Sequence, residues 1–459
     1  MGYSNGPHDI RTNNQLIMQR RHFLKTTGIA SLGLTAAGSV SANPDGDTYR
    51  PGGPKQGSAN SINLNAFHTN EELTKALTKV EQRSGRVSLE EIARSAGRND
   101  PVWEVKVGNG DTKVHLITQI HGDEPTGTEV ALKVIKQLGL SDSKQVDHIL
   151  DNLSFTIIPR VNPYGAMYHY DYNGDGSEEW IARRQNTQAW EEGDSRYEPY
   201  YHYDSPGGDP GYDMNRDFNV RPPSEFNPRT DDEASWWGED EEAMHMPYEG
   251  HTLFASGLRL APEIRGVTES FNETDPDYAI THHHKGGNLY PGSGDGNKPA
   301  KQTLLSVMAS YGESYLDRSP FFPDDHTPVS QAVNPFLDEE TSTRSIKLNS
   351  LVIEALAERG NSVFDSVTRY GYYPLWGSYL DGMCPNFANG GDSVPGMLYE
   401  TAYQTDDLGQ KALGRMLQLT SVGFLESFEA LADDPSLGDT SVETYFDTPL
   451  YGEGIQRRR

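Results

Sequence analysis

The chain is poor in three things: cysteine, basic residues and long apolar runs. A single cysteine, Cys384, among 459 residues excludes an intrachain disulfide and any zinc site built on cysteine ligands. That thiol reads as a small buried residue rather than a nucleophile. Lys and Arg number 39 against 67 Asp and Glu, a formal net charge of −28. So acidic a surface repels phosphate backbones and anionic lipids, which excludes nucleic acid and acidic membranes as partners. The same balance is similar to that of salt-adapted proteins. No segment has the length and apolarity of a spanning helix, and there is no internal repeat. The 24 Tyr, 15 Phe and 6 Trp, spread through clear strand and helix patterns, mark a folded chain and not an acidic disordered one.

The first 42 residues read as an export signal. Gln19-Arg20-Arg21-His22-Phe23-Leu24-Lys25 precedes a weakly apolar stretch and the small residues Val40-Ser41-Ala42. The run resembles a twin-arginine signal, which places the mature chain outside the cytoplasm. Residues 43–60 form a Pro/Gly/Asp/Ser linker. One domain is expected over 61–435, with an acidic insert at about 187–255 and a polar tail over 436–459. Asp171, Asn173, Asp175 and Gly176 match the start of a calcium loop, but its twelfth position is Ala182 where a Glu is required. A solvated acidic turn is therefore expected there in preference to structural Ca2+.

Strand and helix patterns alternate along the domain. Strands are expected at Val102–Val107, Val114–Thr118, Phe155–Pro159, Tyr278–Thr281 and Gly396–Glu400. Helices are expected at Glu71–Ser84, Thr126–Leu138, Leu260–Phe271, Ala300–Leu316, Ile346–Ala357 and Gln410–Ala432. Asn109-Gly110 signals a hairpin turn. Such alternation gives an α/β fold whose mostly parallel central sheet is flanked by helices, with ligands at the strand ends.

Four polar groups fall at such ends. His121-Gly122-Asp123-Glu124 sits where a strand hands over to a helix, so an imidazole and a carboxylate can reach one cation. His68-Thr69-Asn70-Glu71 has the same spacing but reads as a helix start, because Thr69 and Glu72 make a capping box. His282-His283-His284 closes a strand; side chains alternate there, so one or two of the three point into a cleft. Two His and one Glu, with a fourth position left to water, make a catalytic zinc arrangement. Glu400, ending a hydrophobic strand, suits the base that zinc hydrolysis needs. Asp213-Met214-Asn215-Arg216 offers amide and guanidinium donors for a carboxylate, with Asp213 able to fix an imidazole tautomer. Arg183 and Arg184 can stabilise an oxyanion.

In order, His-x-x-Glu, Asn162-Pro163-x-Gly165, a paired-basic run, Asp-x-Asn-Arg, a strand-end His and a strand-end Glu resemble the zinc metallocarboxypeptidases of the carboxypeptidase A type. The resemblance covers about Ala66 to Ala432. It implies one Zn2+ on His121, Glu124 and His283, with Asp213 behind His121 and Glu400 as general base. It further implies Asn215 and Arg216 on the substrate's terminal carboxylate, Arg183 as oxyanion group with Arg184 as fallback, and Tyr379 as the substrate-capping tyrosine. Peptides or proteins are the implied substrates, cut at the C-terminal bond. An amidase, deacylase or cell-wall peptidase on the same fold, or a non-catalytic zinc-binding relative, is the alternative. Thr281 and Tyr164 stand where the family usually has Asp.

Overall fold

Apolar strands assemble into one mixed sheet, seen in a computed structural model. It describes residues 67–170, 176, 179–186, 202–204, 210–218, 235–237, 243–248, 251–255, 261–285, 288–290, 301–319, 333–359, 366–372, 377–402 and 409–450. All of these lie in the unit Thr48–Arg459. The expected export signal, linker and most of the calcium-loop pattern fall outside the described residues.

The sheet holds β1 (Val87–Arg94), β2 (Pro101–Gly108), β3 (Thr112–Thr118), β4 (Leu153–Ile158), β5 (Tyr278–Lys285), β6 (Leu305–Ala309), β7 (Thr368–Arg369) and β8 (Gly396–Ala402). Their spatial order is β1-β2-β4-β3-β5-β8-β6-β7. The four central strands β4, β3, β5 and β8 run parallel, whereas β2 and β6 pair antiparallel with β4 and β8. Every residue of β5 and β8 is buried, as befits strands covered on both faces. Helices supply that cover: α1 (Asn70–Arg83), α2 (Thr126–Leu140), α3 (Lys144–Asn152), α4 (Pro262–Thr274), α5 (Glu339–Glu358), the short α6 (Tyr379–Met383) and α7 (Gly409–Asp433). The expected α/β architecture is therefore present.

Alternation along the strands divides the core in two. Val114, Leu116, Tyr278, Ile280, Met397 and Tyr399 join the cluster containing Val134 of α2 and Phe428 of α7. Ile117, Ala279 and Leu398 join the other, with Ile264 and Phe271 of α4. The same period of two assigns the polar residues beyond. His282, His284 and Thr401 continue the α2/α7 side; His283, Lys285 and Glu400 continue the α4 side.

Helix α1 starts as its sequence demands. Thr69 caps it, and the Glu72 carboxylate accepts from the Thr69 backbone N–H at 2.9 Å. His68 lies apart from the metal-type cluster, its Nδ1 2.7 Å from Glu129. Among the described residues, no helix is long and apolar enough to cross a membrane.

Two expectations are corrected. Asn109-Gly110 does not close a hairpin, because β4 lies between β2 and β3. The turn instead docks on the start of β4: Asn109 N–H donates to Leu150 O and Gly110 N–H to Leu153 O. The described residues 301–316 form no α-helix; a three-residue strand (Lys301–Thr303), β6 and a 3-10 turn (Glu313–Arg318) lie there instead. Leu304-Leu305-Ser306-Val307-Met308 is a short apolar run, and such runs do not distinguish a buried strand from a helix. Within the stretch read as a polar tail, Tyr445 packs onto the domain. Tyr445 is fully buried and its hydroxyl accepts from Ala309 N–H at 3.2 Å.

Backbone packing at Gly110 leaves no room for a side chain, since a Cβ there would lie 1.8 Å from the Asn152 carbonyl carbon. Gly110→Ala should lower stability by about 1–3 kcal/mol, the usual cost of overpacking. Chemical denaturation of the full chain checks this; an unchanged midpoint would contradict the packing.

Candidate metal centre and active site

Strand β3 ends at Thr118 and the chain turns sharply. Gln119 adopts a left-handed backbone, φ 51°, which a non-glycine residue tolerates only when its surroundings hold it. They do: Gln119 Oε1 accepts from Arg160 Nε at 2.7 Å, and its Nε2 donates to Gly122 O at 2.7 Å. The Asn162-Pro163-Tyr164-Gly165 loop presses on the same turn. A Cβ on Gly122 would meet the Gly165 carbonyl carbon at 2.1 Å, so this close approach requires glycine. Asn162 accepts from Gly165 N–H and donates to Arg184 O, tying the loop to the paired arginines.

This turn delivers His121 and Glu124 to the end of β5, the neighbour of β3. His121 Nδ1 lies 2.9 Å from Glu124 Oε1, and His283 Nδ1 lies 3.0 Å from Glu124 Oε2. The two imidazole Nδ1 atoms are 3.1 Å apart. All three side chains are buried. His121, Glu124 and His283 form the one cluster of potential metal ligands among the described residues.

Protonation shows what the cluster is suited to hold. His121 Nε2 faces Asp213 Oδ1 at 3.0 Å, a carboxylate oxygen that accepts only, so Nε2 carries a hydrogen. In neutral His121 the Nδ1 lone pair then points at a carboxylate and at a second imidazole. Three electron-pair donors converging in a buried space repel one another unless a proton or a cation lies between them. Tetrahedral zinc with N and O ligands at about 2.0–2.1 Å places its ligand atoms about 3.3 Å apart. The observed 2.9–3.1 Å separations are close to that, so the residues fit a zinc ion.

Burial and Arg184 push His121 down, but Glu124 and Asp213 outweigh them and raise it, so without a cation this imidazole favours a proton. The two imidazoles hold the Glu124 carboxyl well below its usual range despite burial. Burial pushes His283 down, towards the neutral form a metal needs, while Glu124 opposes that shift. Burial, with Glu124 beside it, pushes Asp123 up to about 7. Asp213 is the hub behind His121: its Oδ2 accepts from Arg184 Nε at 3.0 Å and Nη2 at 2.9 Å, and its Oδ1 from Asn215 N–H at 3.0 Å. Thr281, where the resemblance expects Asp, keeps a contact with the other ligand. Its hydroxyl lies 3.4 Å from His283 Nε2, a longer and uncharged partner.

Of the three adjacent histidines, His283 alone joins the cluster. His282 and His284 turn to the other face, where their rings pack edge-on at 5.6 Å. His282 lies against Gly127, whose added Cβ would sit 2.5 Å from His282 Nδ1. Glu400 stands beside His283 as its register partner across β5 and β8. Its Oε2 is buried with no hydrogen-bond partner among the described residues. Burial and then Glu124 push its carboxyl well up, while Lys285 and Arg184 pull the other way.

Two expected residues stand elsewhere. The Arg183 guanidinium is buried over the Tyr168 ring at 4.4 Å and bonds to the carbonyls of Gln185 and Asn186. Its neighbour Arg184 reaches the cluster instead, 3.6 Å from Glu124. In a paired-basic run only one side chain can face the ligands, and the aromatic Tyr164–Tyr168 surface draws in the first. Tyr379 is also not a mobile cap. It is 1% exposed, and its hydroxyl bonds to His115 in the core. Asn215 and Arg216 follow Asp213 as expected; Asn215 Oδ1 accepts from Tyr379 N–H at 3.1 Å. No described residue accepts from its Nδ2, and Arg216 makes no ion pair among the described residues.

Lys285 went unnoticed in the sequence, although its position two after His283 on one strand was the signal. It is 3% exposed and interacts electrostatically with Glu400; burial pushes its ammonium down to about 7.

The family model of zinc carboxypeptidases, peptidase M14, matches residues 73–333. The chain belongs to this zinc carboxypeptidase family. Among solved structures it is similar to a metallo-carboxypeptidase from Burkholderia cenocepacia, at 14% identity over 81% of this chain and 71% of that one, TM-score 0.45. It is also similar to bovine thrombin-activatable fibrinolysis inhibitor in complex with tick carboxypeptidase inhibitor, at 14% over 80% and 98%, TM-score 0.48. A third is carboxypeptidase A from Helicoverpa armigera, at 13% over 79% and 74%, TM-score 0.46. No curated protein matches the sequence. The family match covers His121, Glu124 and His283; Glu400 lies beyond it and is placed by strand register alone.

His283→Ala should remove the metal from the purified chain, whereas His282→Ala and His284→Ala should each keep about one equivalent, as for a three-ligand site. Elemental analysis of the four proteins checks this. Loss of metal from the His282 variant alone would reassign the third ligand.

Proposed function

We propose that the protein is an exported zinc carboxypeptidase that hydrolyses the C-terminal peptide bond of peptides or proteins. One observation carries the reading: Glu400, buried and with its Oε2 lacking a hydrogen-bond partner among the described residues, stands beside the His121–Glu124–His283 cluster, with Asn215 and Arg216 held next to Asp213. When bound there, zinc supplies Lewis acidity to the scissile carbonyl and lowers the pKa of the attacking water.

The remaining work falls to side chains. Asn215 Nδ2 and the Arg216 guanidinium bind the terminal carboxylate and so choose the last peptide bond. Glu400 takes the proton of the attacking water and delivers it to the leaving amine as the C–N bond breaks. Arg184, and not Arg183, faces the negative charge that develops on the carbonyl oxygen. Lys285 offsets the charge of Glu400, which lets a carboxylate ionise in a buried place.

The pH dependence follows from the direction of these shifts. Glu400 acts as a base only when ionised, and burial with Glu124 raises its pKa. Activity should therefore be lost as pH falls through a value above the ordinary carboxylate range. Lys285→Met removes a cation that lowers this pKa, so the acidic limb should move to higher pH by about one unit. Glu400→Gln should keep the metal while kcat falls about 10²–10⁴-fold. Amino-acid release from N-blocked dipeptides, with and without a free terminal carboxylate, checks these points across pH. Unchanged turnover in Glu400→Gln, or equal cleavage of amidated substrates, would contradict the reading.

A further inference from the structure

Tyr379 is placed where it cannot cap a substrate, yet it touches Asn215. A buried polar chain leads from it to the surface. Its hydroxyl lies 2.6 Å from His115 Nδ1. His115 Nε2 lies 3.1 Å from Ser270 Oγ, and Ser270 donates to Glu104 Oε2. Glu104 Oε1 meets Lys106 Nζ at 2.8 Å, and the Lys106 side chain is 46% exposed. Glu104, His115, Ser270 and Tyr379 are all buried.

The hydrogens of this chain can run only one way. Ser270 gives its hydrogen to the Glu104 carboxylate, so its oxygen accepts from His115 Nε2–H. Neutral imidazole has one donor and one acceptor, which leaves Nδ1 to accept from the Tyr379 hydroxyl. Burial, and after it the Lys106 charge, holds His115 neutral, pushed down to about 3. The Tyr379 hydroxyl also has the His115 carbonyl oxygen at 3.5 Å as a second, longer acceptor, but Nδ1 has that hydroxyl as its donor, so the orientation of the imidazole is fixed from the surface inward. The last link is the backbone: Tyr379 N–H donates to Asn215 Oδ1 at 3.1 Å. That bond assigns the Asn215 amide, leaving its Nδ2 as the end available to a ligand. A second backbone bond, Phe218 N–H to Gly377 O at 3.0 Å, holds the same two segments together.

We infer that His115 and Tyr379 are positioning residues: the chain Glu104–Ser270–His115–Tyr379 holds α6 against Asn215 and so sets the Asn215 amide that receives the substrate carboxylate. This rests on the role of Asn215 proposed above. Fully satisfied buried networks fix one orientation, whereas a network missing one member leaves polar groups to reorganise. Nothing in the chain touches the reacting atoms, so its loss should weaken substrate binding and leave the chemical step in place.

The test uses the full chain, zinc-loaded, with N-blocked dipeptides bearing a free terminal carboxylate. Tyr379→Phe should raise KM about 10-fold while kcat stays within about twofold, the scale of one lost hydrogen bond. Metal content should be unchanged. Ser270→Ala, further from the site, should raise KM about threefold by the same route and serves if the tyrosine variant does not fold. In an Asn215→Ala background, Tyr379→Phe should add nothing to KM, because the two changes remove one interaction. If Asn215→Ala raises KM but Tyr379→Phe and Ser270→Ala do not, or if their effects add to it in full, the positioning role is overturned and the Asn215 assignment stands. If Asn215→Ala leaves KM unchanged, both fall.

Discussion

The structure depends on one unfavourable arrangement: the lone pairs of His121, His283 and Glu124, buried against one another. Without a cation or proton among them they repel, and the fold holds them together regardless. It does so by rigid means. His283 comes from the end region of β5, and His121 and Glu124 both come from the turn that follows the adjacent parallel strand β3. The left-handed Gln119 and the Gly122–Gly165 contact fix that turn. Asp213 closes the construction by fixing the tautomer of His121, so that its free lone pair faces inward.

Around this point the charges are graded. Glu124 stays ionised because two imidazoles face it; burial, and after it Glu124, pushes Glu400 towards its neutral form. Lys285 and Arg184 are the opposing cations. Such opposed shifts on two carboxylates in one buried place suit two different roles, ligand and base. Elsewhere the net charge of −28 is spread over the chain and bears on solubility and salt response, not on this balance.

Much of the site was legible because period two and strand ends carry it. The strand-end positions of the histidine triplet and of Glu400 follow from the apolar strand patterns, the choice of His283 within the triplet came from the family resemblance, and Thr69 with Glu72 marked His68-x-x-Glu71 as a helix start. What escaped was set by tertiary packing. Whether Arg183 or Arg184 faces the ligands depends on the Tyr164 and Tyr168 rings, which no local pattern reports. Tyr379 lies in the core because His115, itself within an apolar strand, supplies a partner for its hydroxyl. Asn109-Gly110 suggested a hairpin, but strand order is a long-range property, and β4 takes the place between. The run at Leu304–Met308 is buried throughout or nearly so, and its apolar pattern fits either period.

X-ray absorption at the zinc edge on the loaded, full-length protein tests the central claim most directly. The account predicts a first shell of light atoms only, two of them imidazole nitrogens, at about 2.0–2.1 Å. A shell with sulfur, with no imidazole scattering, or with the longer distances of a loosely held surface ion would contradict it.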